Sequence, residues 1–201
     1  MKSVAKLAEE ILGRSKQRAS TGPQQLEPDV VEWYREFLGF DTFGEPELED
    51  MMQAVSVFCN AFRRHDHRAR YWLTLLGPCG SGKTPMAKAV FKTHRGFGNK
   101  SGRYARWIDA LNYMRDGHHD YPSELAREHL LVIDDVGAEH GSEYGTQKLL
   151  EVLEKRLGKW TFITSNLGME AFAEMDKRIA SRLIRGHNKV LEIQSKDFAL
   201  R

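Results

Sequence analysis

From residue 71 onward, short apolar segments alternate with segments of helical periodicity. The apolar segments favour strands buried on both faces, and the periodic segments favour helices that bury one side. Alternating strands and helices predict an α/β fold with a parallel sheet of about five strands, flanked by helices on both faces. The predicted strands are 71–76, a short one near 105–108, 129–133, 160–164 and 190–193, and the predicted helices are 85–94, 109–114, 144–157, 169–174 and 176–184.

Before residue 71 the pattern is helical. We interpret residues 1–40 as a short helical N-terminal extension with a linker, and residues 41–201 as the main domain. The predicted elements of the N-terminal part are an amphipathic helix from residue 1 to about 18, a linker at 20–25, and helices at 29–38 and 46–64.

The segment between the strand at 71–76 and the helix after it has the pattern G-x-x-x-x-G-K-T. Glycines let the backbone amides approach a phosphate, and amides at a helix start attract an anion. Lys83 adds a positive charge for the β- and γ-phosphates, and the Thr84 hydroxyl can bind Mg²⁺. A surface glycine-rich turn is the alternative, but the strand–loop–helix context favours nucleotide binding. The predicted phosphate-binding residues are Gly77, Pro78, Cys79, Gly80, Ser81, Gly82, Lys83, Thr84 and Pro85.

Two carboxylates follow the apolar segment at 129–133. Asp134 is predicted to bind the hydrated Mg²⁺ beside Thr84, and Asp135 to face the γ-phosphate and orient or deprotonate a water molecule. Two adjacent buried carboxylates are costly without a cation, which supports a bound Mg²⁺. The alternative is a strand-end turn with two solvated acids.

Polar residues end the next strand, and a basic pair follows on the helix after it. Asn166 is predicted to sit beside the γ-phosphate and to position water, although Ser-Asn is also ordinary turn chemistry. Arg178 and Arg182 are four residues apart and share a helical face. That face is either a solvated basic surface or the source of an arginine finger for the γ-phosphate of a neighbouring subunit.

Composition narrows the class of protein but not the ligand. The chain has 201 residues, 41% of them hydrophobic and 29% charged, which is typical of a soluble globular protein. No apolar run approaches the length of a membrane span. The N-terminal residues lack a long apolar core and a cleavage signature, so they are not expected to act as a secretory signal. Cys59 and Cys79 are interpreted as free thiols in a reducing cytoplasm. The net charge of +2 argues neither for nor against nucleic acid. Four histidines are interpreted as surface residues rather than metal ligands: His65, His67, His118 and His119.

In combination, these motifs resemble a AAA+ ATPase of the P-loop NTPase class, specifically the DnaC/DnaI/IstB group of helicase loaders and transposition helpers. The resemblance covers about residue 40 to the C-terminus. It implies that Asp134 and Asp135 form the Walker B motif, that Asn166 is sensor 1, and that Arg182 is the arginine finger, with Arg178 as second choice. It also implies ATP rather than GTP, and single-stranded DNA as a ligand of the assembled ATPase. Self-association is expected only if Arg182 acts on the site of a neighbouring subunit. The matching segments are 77–84, 130–137 (LLVIDDVG), 156–167 (RLGKWTFITSNL) and 178–183 (RIASRL).

Three features depart from the wider AAA+ pattern. The Walker B motif ends Asp-Asp instead of Asp-Glu, and the shorter side chain of Asp135 is expected to slow hydrolysis. The 19 residues after Arg182 are too few for a C-terminal helical lid, so no lid is expected. The N-terminal part is shorter than the helicase-binding domains of typical loaders.

The resemblance extends to replication initiators, which hold single-stranded DNA along helices after the second strand. Basic and aromatic residues interleave in that region here, as backbone contact and base stacking require. The alternative is that Trp107 belongs to the core and that the arginines are merely solvated. The candidate DNA contacts are Arg103, Arg106, Trp107, Tyr113 and Arg115.

Four functions are compatible with the sequence. The first is a cytoplasmic ATPase that loads a DnaB-type replicative helicase onto single-stranded DNA, with slow hydrolysis stimulated by DNA or the partner. The second is an IstB-like transposition helper whose partner is a transposase. The third is a small-molecule P-loop kinase, and the fourth is an ATP-sensing adaptor that does not hydrolyse ATP.

Overall fold

A computed structural model of the chain describes residues 28–39, 46–64, 71–95, 101–137 and 142–194. The amphipathic helix and the linker predicted before residue 26 lie outside these residues. Five parallel strands form one sheet in the order β2-β3-β4-β1-β5. The strands are β1 (Trp72–Leu76), β2 (Gly102–Arg106), β3 (Leu130–Val136), β4 (Trp160–Ser165) and β5 (Lys189–Glu192). The predicted fold class, a parallel sheet of about five strands flanked by helices, is confirmed.

Helices cover both faces of this sheet. On one face, α1 to α3 pack against alternate strand residues such as Leu73 and Leu75. On the other face, α4 to α8 pack against strand residues whose side chains point the opposite way, such as Trp72 and Leu76. All five residues of β1 are buried, because successive side chains enter the two cores in turn. The helices are α1 (Pro28–Leu38), α2 (Pro46–Arg63), α3 (Lys83–Arg95), α4 (Trp107–Arg115), α5 (Tyr121–Arg127), α6 (Glu143–Lys155), α7 (Met169–Met175) and α8 (Lys177–Leu183).

Helix α1 packs on the sheet domain through its apolar side. Val30 and Tyr34 are almost completely buried and belong to the same core as α2 and α3. The domain boundary at residue 40 stays a prediction, but the described part of the N-terminal segment shares a core with the sheet.

The predicted strand near 105–108 is wrong in its position, since β2 begins at Gly102 and α4 begins at Trp107. β2 is an edge strand and most of its residues are only partly buried, so its apolar signal is weak. The apolar residues that suggested a longer strand belong to the helix. Trp107, Leu111 and Met114 follow helical spacing and are fully buried on one face of α4.

Helix α5 was not predicted, because only Leu125 and Ala126 give its short, polar sequence an apolar face. A buried arginine fixes its C-terminal end. Arg156 is fully buried and donates hydrogen bonds to the carbonyl oxygens of Ala126, Glu128 and Trp160, and to the Thr161 hydroxyl at 3.1 Å. Burial lowers the pKa of Arg156 to about 9, so the guanidinium remains charged at neutral pH. It ties α5 to the beginning of β4.

We predict that Arg156→Met lowers the free energy of unfolding by about 3 kcal/mol, because several buried carbonyl groups lose their donor. Urea denaturation monitored by circular dichroism measures the change. The control is Lys155→Ala, which removes an exposed pair with Glu151 and is expected to cost less than about 1 kcal/mol. Equal stability of the two variants would contradict the assigned role of Arg156.

Candidate nucleotide-binding site

The loop formed by residues 77–84, here called the phosphate loop, connects the carboxyl end of β1 to α3. Two of its glycines have no room for a side chain. Gly82 has a φ of 83°, and a Cβ there would clash with the hydroxyl of Tyr34 on α1. Gly77 has a φ of 153°, and a Cβ there would clash with the carbonyl oxygen of Ile193. The loop is therefore held between α1 and the segment that follows β5.

Lys83 is the first residue of α3 and is buried beneath the loop. Its Nζ donates to the carbonyl oxygens of Gly77 at 2.8 Å and Pro78 at 2.6 Å, and to the Ser81 hydroxyl at 3.0 Å. Burial lowers the pKa of Lys83, and electrostatic interactions with the acidic groups of Cys79, Asp135 and Asp134 oppose that shift. The ammonium group is thus held against the phosphate loop, which suits it to neutralise a bound phosphate.

Asp134 is buried at the carboxyl end of β3, and three hydroxyl groups surround its carboxylate. Oδ1 accepts hydrogen bonds from Thr164 at 2.5 Å and Thr84 at 3.2 Å. Oδ2 accepts a hydrogen bond from the Tyr104 hydroxyl at 2.5 Å. Burial and this bond raise the pKa of Tyr104, which keeps its hydroxyl protonated as a donor. The structure thus brings Thr84 and Asp134 together, as the sequence predicted.

Asp135 has a φ of 63°, a left-handed backbone conformation that is uncommon outside glycine. The pairing of β3 with β4 is irregular here, between Ile133 and Val136. Its backbone amide donates to the Thr164 hydroxyl at 2.9 Å, and its carboxylate accepts a hydrogen bond from Asn166 Nδ2, also at 2.9 Å. The guanidinium of Arg106 lies 3.9 Å from the other carboxylate oxygen. Asp135 and Asn166, predicted separately, are therefore direct neighbours.

Lys83, Asp135 and Asn166 line one open cavity of about 400 Å³ at the carboxyl ends of the strands, a volume within the range of small-molecule sites. Asp134 does not line it and lies behind Thr84, which does. The Thr84 hydroxyl and the two carboxylates supply the oxygen ligands that Mg²⁺ prefers, so the residues present fit this metal. Gly77 and Pro78 complete the loop without lining the cavity. The lining residues are Leu38, Cys79, Gly80, Ser81, Gly82, Lys83, Thr84, Pro85, Asp135, Thr164 and Asn166.

Neither predicted finger arginine lines this cavity. Arg182 is largely buried, pairs with the carboxylate of Glu154 and donates to the carbonyl oxygen of Arg178 at 3.0 Å. The side chain of Arg178 is 64% exposed and pairs with Asp176 at 2.7 Å. Hydrogen bonds from Arg178 lower the pKa of Asp176, which also caps the N-terminus of α8. The structure does not bring either arginine to the cavity of its own chain.

The candidate DNA contacts fall into three groups. The prediction that Trp107 contacts DNA is wrong. Its side chain is completely buried in the core between the sheet and α4, so it cannot stack on a base in this conformation. Arg106 is exposed but points to Asp135. The remaining three, Arg103, Tyr113 and Arg115, lie on an exposed surface with further aromatic residues.

This surface, here called the α4–α5 surface, contains aromatic groups that the sequence did not single out. Tyr113 is 43% exposed and stacks on His118 with ring centroids 3.6 Å apart. The guanidinium of Arg103 lies 5.7 Å from the Tyr121 ring centroid, and that of Arg115 lies 5.2 Å from the Tyr144 centroid. Interleaved cations and aromatic rings suit single-stranded nucleic acid.

Two residues that contact Asp134 were not predicted from the sequence as part of the site. Thr164 and Tyr104 contact Asp134, yet both have residue types that are common in strands. For Tyr104 the available signal was its position two residues before Arg106, which places both side chains on one face of the strand. Thr164 directly precedes Ser165 and Asn166, so the predicted turn already marked its neighbourhood.

Within the described residues no group of three or more histidine, cysteine or acidic side chains is arranged to hold a metal ion. His118 is stacked on Tyr113, and His65 and His67 lie outside the described residues. None of the helices in the described part of the chain has the length and apolar content that a membrane span requires.

The parallel sheet, with a phosphate loop after β1 and acids at the end of β3, defines a P-loop domain of the AAA+ type. Residues 65–201 match the family of IstB-like ATP-binding proteins, and the chain belongs to that family. The predicted resemblance to the DnaC/DnaI/IstB group is thereby confirmed. No curated protein matches the sequence significantly.

Solved structures share the fold at low sequence identity. The DnaC helicase loader matches with a TM-score of 0.62 and 21% identity, over 74% of this chain and 90% of that chain. DnaI matches with a TM-score of 0.61 and 21% identity, over 82% and 93%. The replication initiator DnaA bound to AMPPCP and single-stranded DNA matches with a TM-score of 0.60 and 17% identity, over 72% and 46%. The matched part is therefore less than half of that DnaA chain.

Proposed function

We propose that this protein is a magnesium-dependent ATPase that loads a replicative helicase of the DnaB type onto single-stranded DNA. The observation that carries the ATPase part is the convergence of Lys83, Thr84, Asp135 and Asn166 on one cavity, with Asp134 directly behind Thr84. Membership in a family of ATP-binding proteins supports ATP as the ligand.

The polar groups in and beside the cavity have distinct parts in the proposed reaction. Lys83 and the loop amides bind the phosphates, and Thr84 and Asp134 hold the metal. Bound Mg²⁺ supplies positive charge that offsets the charge developing on the phosphates. Asp135 orients the attacking water and accepts its proton, and Asn166 holds the Asp135 carboxylate in place through the 2.9 Å hydrogen bond.

The ion pair with Arg106 and the short side chain of Asp135 favour slow hydrolysis. The guanidinium of Arg106 lies 3.9 Å from one carboxylate oxygen and competes with an attacking water for that oxygen. If hydrolysis is slow enough to be negligible, the protein is an ATP-sensing adaptor that does not hydrolyse ATP. A small-molecule kinase is less favoured, because the cavity carries no lid arginine among its described lining residues.

The proposal of an oligomer rests on the placement of α8. A finger arginine acts on the phosphate of another subunit, and neither Arg178 nor Arg182 lines the cavity of its own chain. Both side chains are paired with carboxylates of their own chain, so the arginine that acts as the finger must exchange its carboxylate for the phosphate. We propose Arg182 as the finger and Arg178 as the second choice.

The proposal of single-stranded DNA rests on the α4–α5 surface. Its exposed Tyr113 ring and its arginines supply stacking and phosphate contacts. The DnaA structure with the same fold contains single-stranded DNA, which makes DNA a reasonable ligand to test here.

A transposition helper is the second candidate, and the IstB-like family supports it. The two functions differ in the partner rather than in the ATP site. Affinity capture with ATP present, followed by mass spectrometry, separates them: recovery of a helicase supports loading, and recovery of a transposase supports transposition.

We predict that Lys83→Ala abolishes ATP hydrolysis and weakens binding of a fluorescent ATP analogue. Asp135→Asn keeps the shape of the side chain, so binding is expected to persist while hydrolysis falls about 100-fold. Phosphate release, measured with and without single-stranded DNA, gives the rates. Glu170→Gln, an exposed acid on α7, is the control and keeps the wild-type rate. Hydrolysis by Lys83→Ala at the wild-type rate would contradict the proposed site.

We predict that Arg182→Ala and Lys83→Ala proteins are each inactive alone and regain activity when mixed. In a mixed assembly, the intact cavity of one subunit faces the intact Arg182 of the other. Phosphate release from mixtures of varied ratio measures the recovery. Arg178→Ala replaces Arg182→Ala in a parallel series and identifies the finger. Absence of recovery in both series, with mixed assemblies demonstrated by size, would contradict a shared site.

We predict that Tyr113→Ala weakens single-stranded DNA binding about 5- to 150-fold, because one stacked base is worth about 1–3 kcal/mol. Fluorescence anisotropy of a labelled oligonucleotide measures the affinity. The control is Leu157→Ala, which removes a side chain of similar exposure from the turn between α6 and β4 and leaves the affinity unchanged. Equal affinity of Tyr113→Ala and wild type would remove the α4–α5 surface as the DNA site.

A further inference from the structure

Strands β2 and β4 flank β3 and hold the carboxylate of Asp134 from two sides. Tyr104 of β2 donates to Oδ2, and Thr164 of β4 donates to Oδ1, each at 2.5 Å. Two donors on different oxygens fix the rotation of the carboxylate about its Cβ–Cγ bond.

Thr84 is the third partner, and it differs from the other two. Its hydroxyl belongs to the phosphate loop and lies 3.2 Å from Oδ1, a longer and weaker contact. The Thr84 hydroxyl and the Asp134 carboxylate would together hold a bound Mg²⁺ and its water. Tyr104, on the opposite oxygen, is not a metal ligand in that arrangement and can keep its bond to Asp134.

The Tyr104 side chain is itself held in place. Its ring is half-buried and packs against Phe91 of α3, with ring centroids 6.0 Å apart. The backbone of Tyr104 pairs with Val132 in the β2–β3 ladder, two residues before Asp134. The hydroxyl therefore reaches Asp134 from an ordered strand rather than from a loop.

We propose that Tyr104 is a positioning residue of the metal site, and that its hydroxyl holds the Asp134 carboxylate with Oδ1 turned toward Thr84. The proposal rests on the proposed binding of ATP with Mg²⁺. Loss of a group that orients a metal ligand typically weakens metal binding about 10- to 100-fold. Tyr104 is thus expected to affect the metal requirement of nucleotide binding, and not the contacts of the loop with the phosphates.

The test is Tyr104→Phe, which keeps the ring against Phe91 and removes only the hydroxyl. Affinity for a fluorescent, non-hydrolysable ATP analogue is measured over a range of Mg²⁺ concentrations and in EDTA. The half-saturating Mg²⁺ concentration is expected to rise about 10-fold or more, while the affinity in EDTA stays within about two-fold of wild type. The matched control is Tyr71→Phe, which removes a buried hydroxyl at the opposite end of the sheet, one without a hydrogen-bond partner among the described residues.

The outcomes are distinct. An unchanged Mg²⁺ requirement in Tyr104→Phe overturns the positioning role and leaves the ATP site intact. Equal losses of affinity with Mg²⁺ and in EDTA also overturn it, because they indicate a general structural defect. Nucleotide binding by the wild type that does not depend on Mg²⁺ contradicts the proposed metal site itself, and the role of Tyr104 with it.

Discussion

The burial of one carboxylate constrains the whole site. Asp134 is 2% exposed, and an ionised carboxylate without partners at such a position costs several kcal/mol. Hydroxyl groups from α3, β2 and β4 satisfy it, so the three elements around β3 each contribute one donor. The sheet order that places β3 between β2 and β4 is therefore also the order that makes this charge tolerable.

Asp135 shows how a second carboxylate is fitted beside the first. Successive side chains of a regular strand point to opposite faces, which would separate two adjacent acids. The left-handed backbone at Asp135 breaks that alternation and lets its side chain line the cavity. The hydroxyl of Thr164 links the two residues, since it donates to the Asp134 carboxylate and accepts from the Asp135 amide. The local cost in backbone strain, about 1–3 kcal/mol, is offset by these contacts.

The sequence predicted the parts of this site that depend on local pattern. The phosphate loop and the acids after an apolar strand are contiguous motifs, and their meeting follows from parallel strands that end at one edge. Tyr104 and Thr164 depend on the register between strands, which no local pattern specifies. The position of β2 was wrong for a related reason: an edge strand carries little apolar signal, and the buried Trp107 belongs to the helix that follows. Helix α5 depends on the distant Arg156, which a reading of its own residues does not reveal.

The two arginines of α8 are where local pairing and proposed function compete. Arg178 and Arg182 are each satisfied by a carboxylate of their own chain, so neither is a free cation. An exposed pair in water is weak, whereas a pair shielded from solvent holds more strongly. The Arg178 side chain, 64% exposed, is therefore the easier of the two to release, while Arg182, 18% exposed, is the better ordered. A finger must reach a phosphate in a fixed geometry, which favours the ordered Arg182. This requires that the phosphate of a neighbouring subunit bind the guanidinium more strongly than Glu154 does. An ATP phosphate that also binds Mg²⁺ still has several charged oxygens that can make bidentate contact with a guanidinium. The single carboxylate of Glu154 has fewer such oxygens. The pairing with Glu154 is thus compatible with a finger role for Arg182, because it holds the side chain in an ordered position before the subunits assemble.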